Sequence, residues 1–140
     1  MEVKITNAGY LTNIEVLDLI NERKSNRSTR QEQDKQNITL IETEVSRYFK
    51  VHDKEKYSSN DIKAMLSNIK KLNLELKETE LLTIANLIPT KIVELHVCID
   101  DIENRLKDTD ITNLLDVIKQ SLNIKDDEDN EDNEDNMDES

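Results

Sequence analysis

The stretch that decides the fold is Asn86-Leu87-Ile88-Pro89-Thr90-Lys91-Ile92-Val93-Glu94-Leu95, which contains the only proline of the chain. Pro89 disfavours a helical backbone at Ile88 and has no backbone N–H to donate, so a helix that precedes it must end there. Apolar residues recur at helical spacing on both sides. They are Leu81, Ile84, Ala85 and Ile88 before the proline, and Ile92, Leu95, Ile99, Ile102 and Leu106 after it. The pattern predicts two helices that meet at a corner, Lys77 to Ile88 and Thr90 to Leu106.

Four more helices are predicted outward from this corner. The first begins at Thr12, which forms a capping box with Glu15. Thr39 and Glu42 form a second such pair, which predicts the start of the second helix. The third helix begins at Ser58 or Ser59, and the sixth is capped by Asp108 or Thr109. The predicted inward residues are Ile14, Leu17 and Ile20 in the first helix and Ile41, Val45, Tyr48 and Phe49 in the second. In the third helix they are Ile62, Met65, Leu66 and Ile69, and in the sixth Ile111, Leu114, Leu115, Ile118 and Leu122.

Three segments fall outside these helices. Residues 22–37 contain no aliphatic side chain, which indicates a flexible linker or a fraying helix extension inside a helical domain of residues 11–124. Residues 1–10 form an arm in which Val3 and Ile5 alternate with polar residues, as in a strand that pairs with another molecule or in a frayed terminus. Residues 125–140 repeat Glu-Asp-Asn and are expected to be a disordered acidic tail.

Composition limits the possible functions. The chain of 140 residues has 31 acidic and 19 basic residues, but ten of the acids lie in residues 126–140, so the rest is nearly neutral. A near-neutral body gives no basic footprint for nucleic acid, so nucleic-acid contact is expected to be weak at most or to occur through a partner. No apolar run is long enough to span a membrane, and the amino terminus lacks a signal-peptide core.

No catalytic, cofactor-binding or metal site is predicted. A single glycine excludes the phosphate-binding loop and the dinucleotide fingerprint, which need several. His96 and Cys98 are two residues apart on a helix and therefore point about 200° apart, so they cannot share an ion. Asp100 and Asp101 diverge in the same way, and Cys98 is expected to be a buried thiol on the core side of its helix.

Two segments resemble a known family. They are Met1-Glu2-Val3-Lys4 with Asn7-Ala8-Gly9-Tyr10-Leu11-Thr12-Asn13-Ile14-Glu15-Val16, and Glu80-Leu81-Leu82-Thr83-Ile84-Ala85-Asn86-Leu87-Ile88-Pro89 with Val93-Glu94-Leu95. Their order and spacing are similar to those of the small stalk subunit of RNA polymerase III. This family is called the calcitonin gene-related peptide receptor component in animals, and it is related to the F-type stalk protein of archaeal RNA polymerase. The chain departs from the family at Lys77, where relatives often carry a capping Thr.

The resemblance implies an all-α fold, a small helical bundle similar to the carboxyl-terminal domain of certain helicases and of ribonuclease D. It also implies a heterodimer with a larger stalk subunit that contains an oligonucleotide-binding (OB-fold) barrel. Such a heterodimer protrudes from the polymerase core in the nucleus and helps recruit initiation factors. The chain itself would have no active site. The residues expected to bind the partner are Val3, Ile5, Tyr10, Leu11, Ile14 and Leu17.

Other functions stay open at this point. The equivalent stalk subunit of RNA polymerase II has a similar layout, and the choice of polymerase III depends on the amino-terminal string. A free-standing helical adaptor, of the receptor-component type, would be a stable monomer. A helicase-associated nucleic-acid-binding module would bind single strands with an affinity that falls steeply with salt, but the near-neutral body argues against it.

Overall fold

The computed structural model describes residues 9–26, 35–52 and 56–125. These residues form an all-α fold, which confirms the predicted fold class. The helices are α1 (Asn13–Ser25), α2 (Lys35–Val51), α3 (Ser59–Lys70), α4 (Glu78–Leu87), α5 (Ile92–Cys98), α6 (Ile102–Arg105) and α7 (Asp108–Ser121). The predicted arm strand, the acidic tail and the central part of the linker lie outside the described residues. At its edges, the linker segment is helical from residue 22 to Ser25 and again from Lys35.

The core lies between α3, α4, α5 and α7, with α3 packed along α7 and α4 packed on α5. Its side chains come from the predicted inward faces, because three- and four-residue spacing places them on one side of each helix. The most deeply buried are Ile62, Met65, Ile69, Ile84, Leu95, Ile99, Ile102, Leu114 and Ile118. The inward faces predicted for α1, α3, α4 and α7 are therefore confirmed, with Leu66, Leu81 and Ile88 only partly buried at the edge of the core.

Two helix starts are capped as the sequence predicts. The Thr12 hydroxyl accepts a hydrogen bond from the Glu15 amide at 3.3 Å, and the Glu15 carboxylate accepts one from the Thr12 amide at 2.8 Å. Ser58 and Asp61 form the same reciprocal pair at the start of α3. Each pair satisfies amide donors that have no partner inside the helix, which fixes where these helices begin. The start of α7 comes one residue earlier than predicted, with Lys107 as its N-cap.

The corner at Pro89 forms as predicted. The α4 helix ends at Leu87, and Ile88 adopts a left-handed conformation with φ of +50°. Its amide still donates to the Ile84 carbonyl at 2.8 Å, which closes the last turn. Pro89 is buried behind this turn, so the chain reverses and enters α5 after Lys91.

The single long helix predicted from Thr90 to Leu106 is wrong, because the segment forms two short helices. Ile99 is extended and Asp101 is left-handed, with φ of +53°. The Asp100 amide turns away from the helix and donates to the Glu80 carboxylate at 3.3 Å. Apolar spacing did not reveal the break, since Leu95, Ile99, Ile102 and Leu106 are all buried despite it. Ile92, predicted as part of the same stripe, is instead 51% exposed.

The prediction for the second helix is wrong in its start and, except for the buried Phe49 and the half-buried Val45, in its face. The α2 helix begins at Lys35, so Thr39 lies inside it and is not an N-cap. Glu42 forms an ion pair with Arg23 of α1, with Glu42 Oε1 and Arg23 Nε 3.3 Å apart. The side chains of α2 that are buried are Glu42, Ser46 and Phe49, whereas Ile41 and Tyr48 are 63% and 56% exposed. The helix has turned its polar side toward α1, because the end of α1 presents Arg23 and Lys24 there.

Candidate partner interface

The structure separates the residues that were predicted to bind a partner. Tyr10 and Leu11 precede α1 and are each about half exposed. Ile14 and Leu17 are buried within the chain, and Ile14 is part of the core. Val3 and Ile5 lie outside the described residues. The two side chains that are open to a partner are therefore those at the entry to α1.

A hydrogen bond attaches this entry to the proline corner. The Asn13 amide donates to the Asn86 side-chain carbonyl at 2.8 Å, which joins the start of α1 to the end of α4. Asn13 and the half-exposed Leu87 line one cleft of about 230 Å³. Because two residues span at most about 7 Å, Leu11 lies close to this cleft. We call Tyr10, Leu11 and Leu87 the arm-base patch.

The α2 helix carries a second apolar surface. Ile38, Ile41, Val45 and Tyr48 follow one another at spacings of three and four residues, so they share one face of the helix. Val45 is half-buried and the other three are exposed. We call these four residues the α2 stripe. Apolar side chains aligned in this way on a helix surface are typical of a face that another protein covers.

Contacts on the adjacent side of α2 hold the stripe in place. Besides the Arg23–Glu42 ion pair, the Lys24 ammonium donates to the Ser46 hydroxyl at 3.0 Å. The Tyr48 ring lies edge-on to the buried Phe49 ring, with centroids 5.9 Å apart. Polar contacts with α1 thus fix the rotation of α2, and that rotation leaves the stripe exposed beside the α1 contact, with Val45 half-buried at its edge.

The sequence pattern assigns three residues of the stripe, Ile41, Val45 and Tyr48, to the core, and it does not single out Ile38. The informative signal was in α1, where the apolar pattern ends at Ile20 and basic residues follow. A helix that packs on this end of α1 gains by supplying polar partners, and the face with Glu42 and Ser46 does so. The apolar face of α2 is then left without a partner among the described residues.

The groups considered for chemistry are arranged as spacing predicts. Cys98 is buried on the core side of α5 and His96 is exposed, which confirms that they diverge. Burial, and then the negative charge of Glu94, raise the pKa of the Cys98 thiol to about 11, so it is protonated and unreactive at neutral pH. In the described parts of the chain, no three His, Cys, Asp or Glu side chains are placed to hold a metal ion. None of the helices among those residues is long and apolar enough to cross a membrane.

Comparison with protein families gives one match that covers most of the chain. The model of the family described as RNA polymerase Rpb4 matches residues 10–122. This range contains α1 to α7 and both apolar surfaces described above. The chain therefore belongs to the RNA polymerase Rpb4 family, the accessory subunits of the polymerase stalk, which are noncatalytic.

Proposed function

We propose that the chain is the small stalk subunit of RNA polymerase III. In this role it forms a heterodimer with the larger, OB-fold stalk subunit, and the pair protrudes from the polymerase core in the nucleus. The heterodimer helps recruit initiation factors for transcription of small RNA genes. The larger subunit binds any RNA, and the polymerase core performs the chemistry.

The observation that supports the heterodimer best is the exposed α2 stripe. Ile41 and Tyr48 are more than half exposed on a helix that buries a carboxylate and a hydroxyl instead. Complete burial of a fully exposed large apolar side chain is worth roughly 1.5–3 kcal/mol, and a partner that covers the exposed part of Ile41 and Tyr48 gains a share of that free energy. The orientation of α2 is thus costly for the chain alone and favourable in a complex.

The arm-base patch extends the same proposal. The α1 helix packs against α2, and its first residues are tied to α4 through the Asn13–Asn86 hydrogen bond. A partner that follows α1 can therefore reach both the stripe and the patch. We include Tyr10 and Leu11 in the interface, together with Val3 and Ile5 as an added strand. Ile14 and Leu17 then contribute by holding α1 in position from the buried side.

The assignment to polymerase III rests on the resemblance of the amino-terminal string, and a co-expression experiment tests it. The chain is produced alone, with the larger stalk subunit of polymerase III, and with that of polymerase II, all from one organism. Size-exclusion chromatography with light scattering then gives the stoichiometry of each sample. We expect a one-to-one complex with the polymerase III subunit and a lone chain that is less soluble, since exposed apolar surface favours self-association.

Each other outcome identifies a different function. A complex with the polymerase II subunit alone would reassign the chain to the stalk of that enzyme. A stable monomer that binds neither subunit would favour the adaptor function. The arm is tested with Val3→Pro and Ile5→Pro, which remove donors from an added strand and should weaken the complex, whereas the matched variants Asp127→Pro and Asp129→Pro in the tail should not.

A further inference from the structure

The α5 helix is apolar on both of its sides. Leu95 and Cys98 face the core, and four other residues form the opposite, exposed face. We call Ile92, Val93, His96 and Val97 the α5 face. Val93, at 76%, is the most exposed large apolar side chain in the described residues, and Val97, at 72%, is otherwise exceeded only by Val51 at 73%. A helix that is apolar all round is normally buried, so the α5 face is unusual on a surface.

The charges of α5 do not interrupt this face. Its only carboxylate is Glu94, which accepts hydrogen bonds from the Thr90 amide at 2.6 Å and the Lys91 amide at 3.2 Å. These bonds lower the pKa of Glu94, the one from Thr90 most, and hold the carboxylate at the start of the helix. The α5 face therefore presents aliphatic side chains and one imidazole.

Charged residues lie beyond both ends of the face. Lys91 precedes it, and three exposed acids, Asp100, Asp101 and Glu103, follow it. Of the two basic side chains that follow, Arg105 is paired with the buried Glu80 and lies near Asp100 and Asp101, and Lys107 is exposed, so the acids outnumber the bases. The carboxyl end of α5 is therefore acidic, and the partial negative charge of the helix terminus adds to this potential.

Size and charge together indicate what covers the face. The surface of four side chains on a seven-residue helix is far smaller than the roughly 800 Å² that each partner buries in a stable protein dimer. This difference argues against a second copy of the chain as the occupant. They match one face of a short amphipathic helix instead. The acidic end requires basic residues in such a helix.

We infer that the α5 face docks a short amphipathic helix of another protein, with aliphatic residues against Val93 and Val97 and a Lys or Arg against Asp100, Asp101 and Glu103. This face shares no residue with the α2 stripe or the arm-base patch, and it begins two residues after Thr90, which lines the same cleft as Leu87. The inference therefore does not depend on the identity of the stalk partner.

A peptide titration followed by NMR tests this inference on the full chain. The probe is a 14-residue amidated peptide of Leu and Lys, with Leu at helical spacing on one face. We expect saturable shifts at the amides of Val93, His96, Val97 and Asp100. Val93→Ser with Val97→Ser should weaken binding about tenfold, since half the apolar contact is lost. Asp100→Asn with Asp101→Asn should weaken it about threefold and reduce its salt dependence.

Matched controls separate this site from general attraction to an acidic protein. Leu40→Ser with Val51→Ser removes two side chains of similar exposure from α2 and should leave the affinity unchanged. A peptide with Glu in place of Lys should not bind. The inference is overturned if the shifts are confined to residues 126–140, if the valine variants bind as tightly as the unaltered chain, or if light scattering shows that the α5 face mediates self-association.

Discussion

The Arg105 guanidinium and the Glu80 carboxylate form a two-point ion pair between α6 and α4. Arg105 Nη1 contacts Glu80 Oε1, and Arg105 Nη2 lies 3.1 Å from Glu80 Oε2. Glu80 is only 4% exposed, and it also accepts hydrogen bonds from the amides of Lys77 and Asp100. Arg105 in turn donates to the Asp100 carbonyl at 2.9 Å. One carboxylate thus caps the start of α4 and fixes the break between α5 and α6.

Neutralising Glu80 should destabilise the fold. Glu80→Gln keeps the shape of the side chain but removes the negative charge that pairs with Arg105 and accepts hydrogen bonds from two amides. We expect the free energy of unfolding to fall by about 2 kcal/mol, less than for a fully buried pair because Arg105 is partly exposed. Urea titration followed by circular dichroism measures the change. Glu78→Gln, on the exposed side of the same helix, is the matched control and should change stability by less than about 0.5 kcal/mol. Equal effects of the two variants would show that the ion pair has no stabilising role.

The same carboxylate should make stability depend on acid pH. The hydrogen bonds from Arg105 lower the pKa of Glu80 below its ordinary value of 4.5, and they outweigh the opposing effect of burial. A group whose pKa is lower in the folded state stabilises the fold above its unfolded pKa and loses that contribution as pH falls through the folded pKa. The stability difference between the unaltered chain and Glu80→Gln should therefore be constant above pH 4.5 and shrink below it. The other carboxylates titrate equally in both proteins, so their effects cancel in the difference. If the stability difference stays constant below pH 4.5, Glu80 does not have a lowered pKa.

Sequence reasoning succeeded where a local signal decides the structure. Thr12, Ser58 and Pro89 each fix a helix boundary through neighbouring atoms, and all three boundaries are observed. It failed at Asp100, where the helix breaks because a residue twenty positions earlier accepts its amide hydrogen. It failed again at Ile41, which has the spacing of a core residue. Whether that face is buried depends on what α1 offers to α2, and periodicity along one helix carries no such information.

Glu75 offers a stabilising substitution. It is exposed in the connection from α3 to α4 and has a left-handed backbone with φ of +53°. This conformation costs an ordinary residue about 1–2 kcal/mol, whereas glycine adopts it freely at an entropic cost of about 0.5–1 kcal/mol. Glu75→Gly should therefore stabilise the fold by about 0.5 kcal/mol in urea titration. Lys63→Gly, in the middle of α3, should destabilise it by about 0.7 kcal/mol. The opposite signs are the test, and destabilisation by both would show that Glu75 makes contacts that outweigh its backbone strain.

Cys98 should report on unfolding through its reactivity. Burial raises the pKa of its thiol from 9.0 to about 11, and the core also blocks access to it. At pH 8 we expect Ellman's reagent to react at least about a hundredfold more slowly with the folded chain than with the chain in urea. Because the folded pKa is the higher one, the thiol stabilises the fold below pH 9.0 and loses that contribution as pH rises toward 11. The difference in free energy of unfolding between the unaltered chain and Cys98→Ala should therefore become smaller between pH 9.0 and 11. Rapid reaction of the folded chain with Ellman's reagent would contradict the burial of Cys98.

The α2 stripe should contribute to partner binding and little to the stability of the chain. Ile41 and Tyr48 are more than half exposed, so Ile41→Ser with Tyr48→Ser removes few contacts within the fold. Against the larger stalk subunit of RNA polymerase III, the same pair should lower the affinity by at least about tenfold, because aromatic and aliphatic anchors dominate protein interfaces. Isothermal titration calorimetry measures the affinity, and urea titration of the free chain measures its stability.

Leu40→Ser with Val51→Ser provides the comparison within α2. These side chains are as exposed as those of the stripe, but they lie on a neighbouring face of the same helix. If only the stripe variant loses affinity, the partner covers the face beside the Arg23–Glu42 and Lys24–Ser46 contacts, which the packing of α2 on α1 leaves exposed. If both lose affinity equally, the partner surrounds α2 and the rotation of the helix does not select the interface. If neither does, the larger subunit binds elsewhere, and the exposure of Ile41 and Tyr48 needs a different explanation.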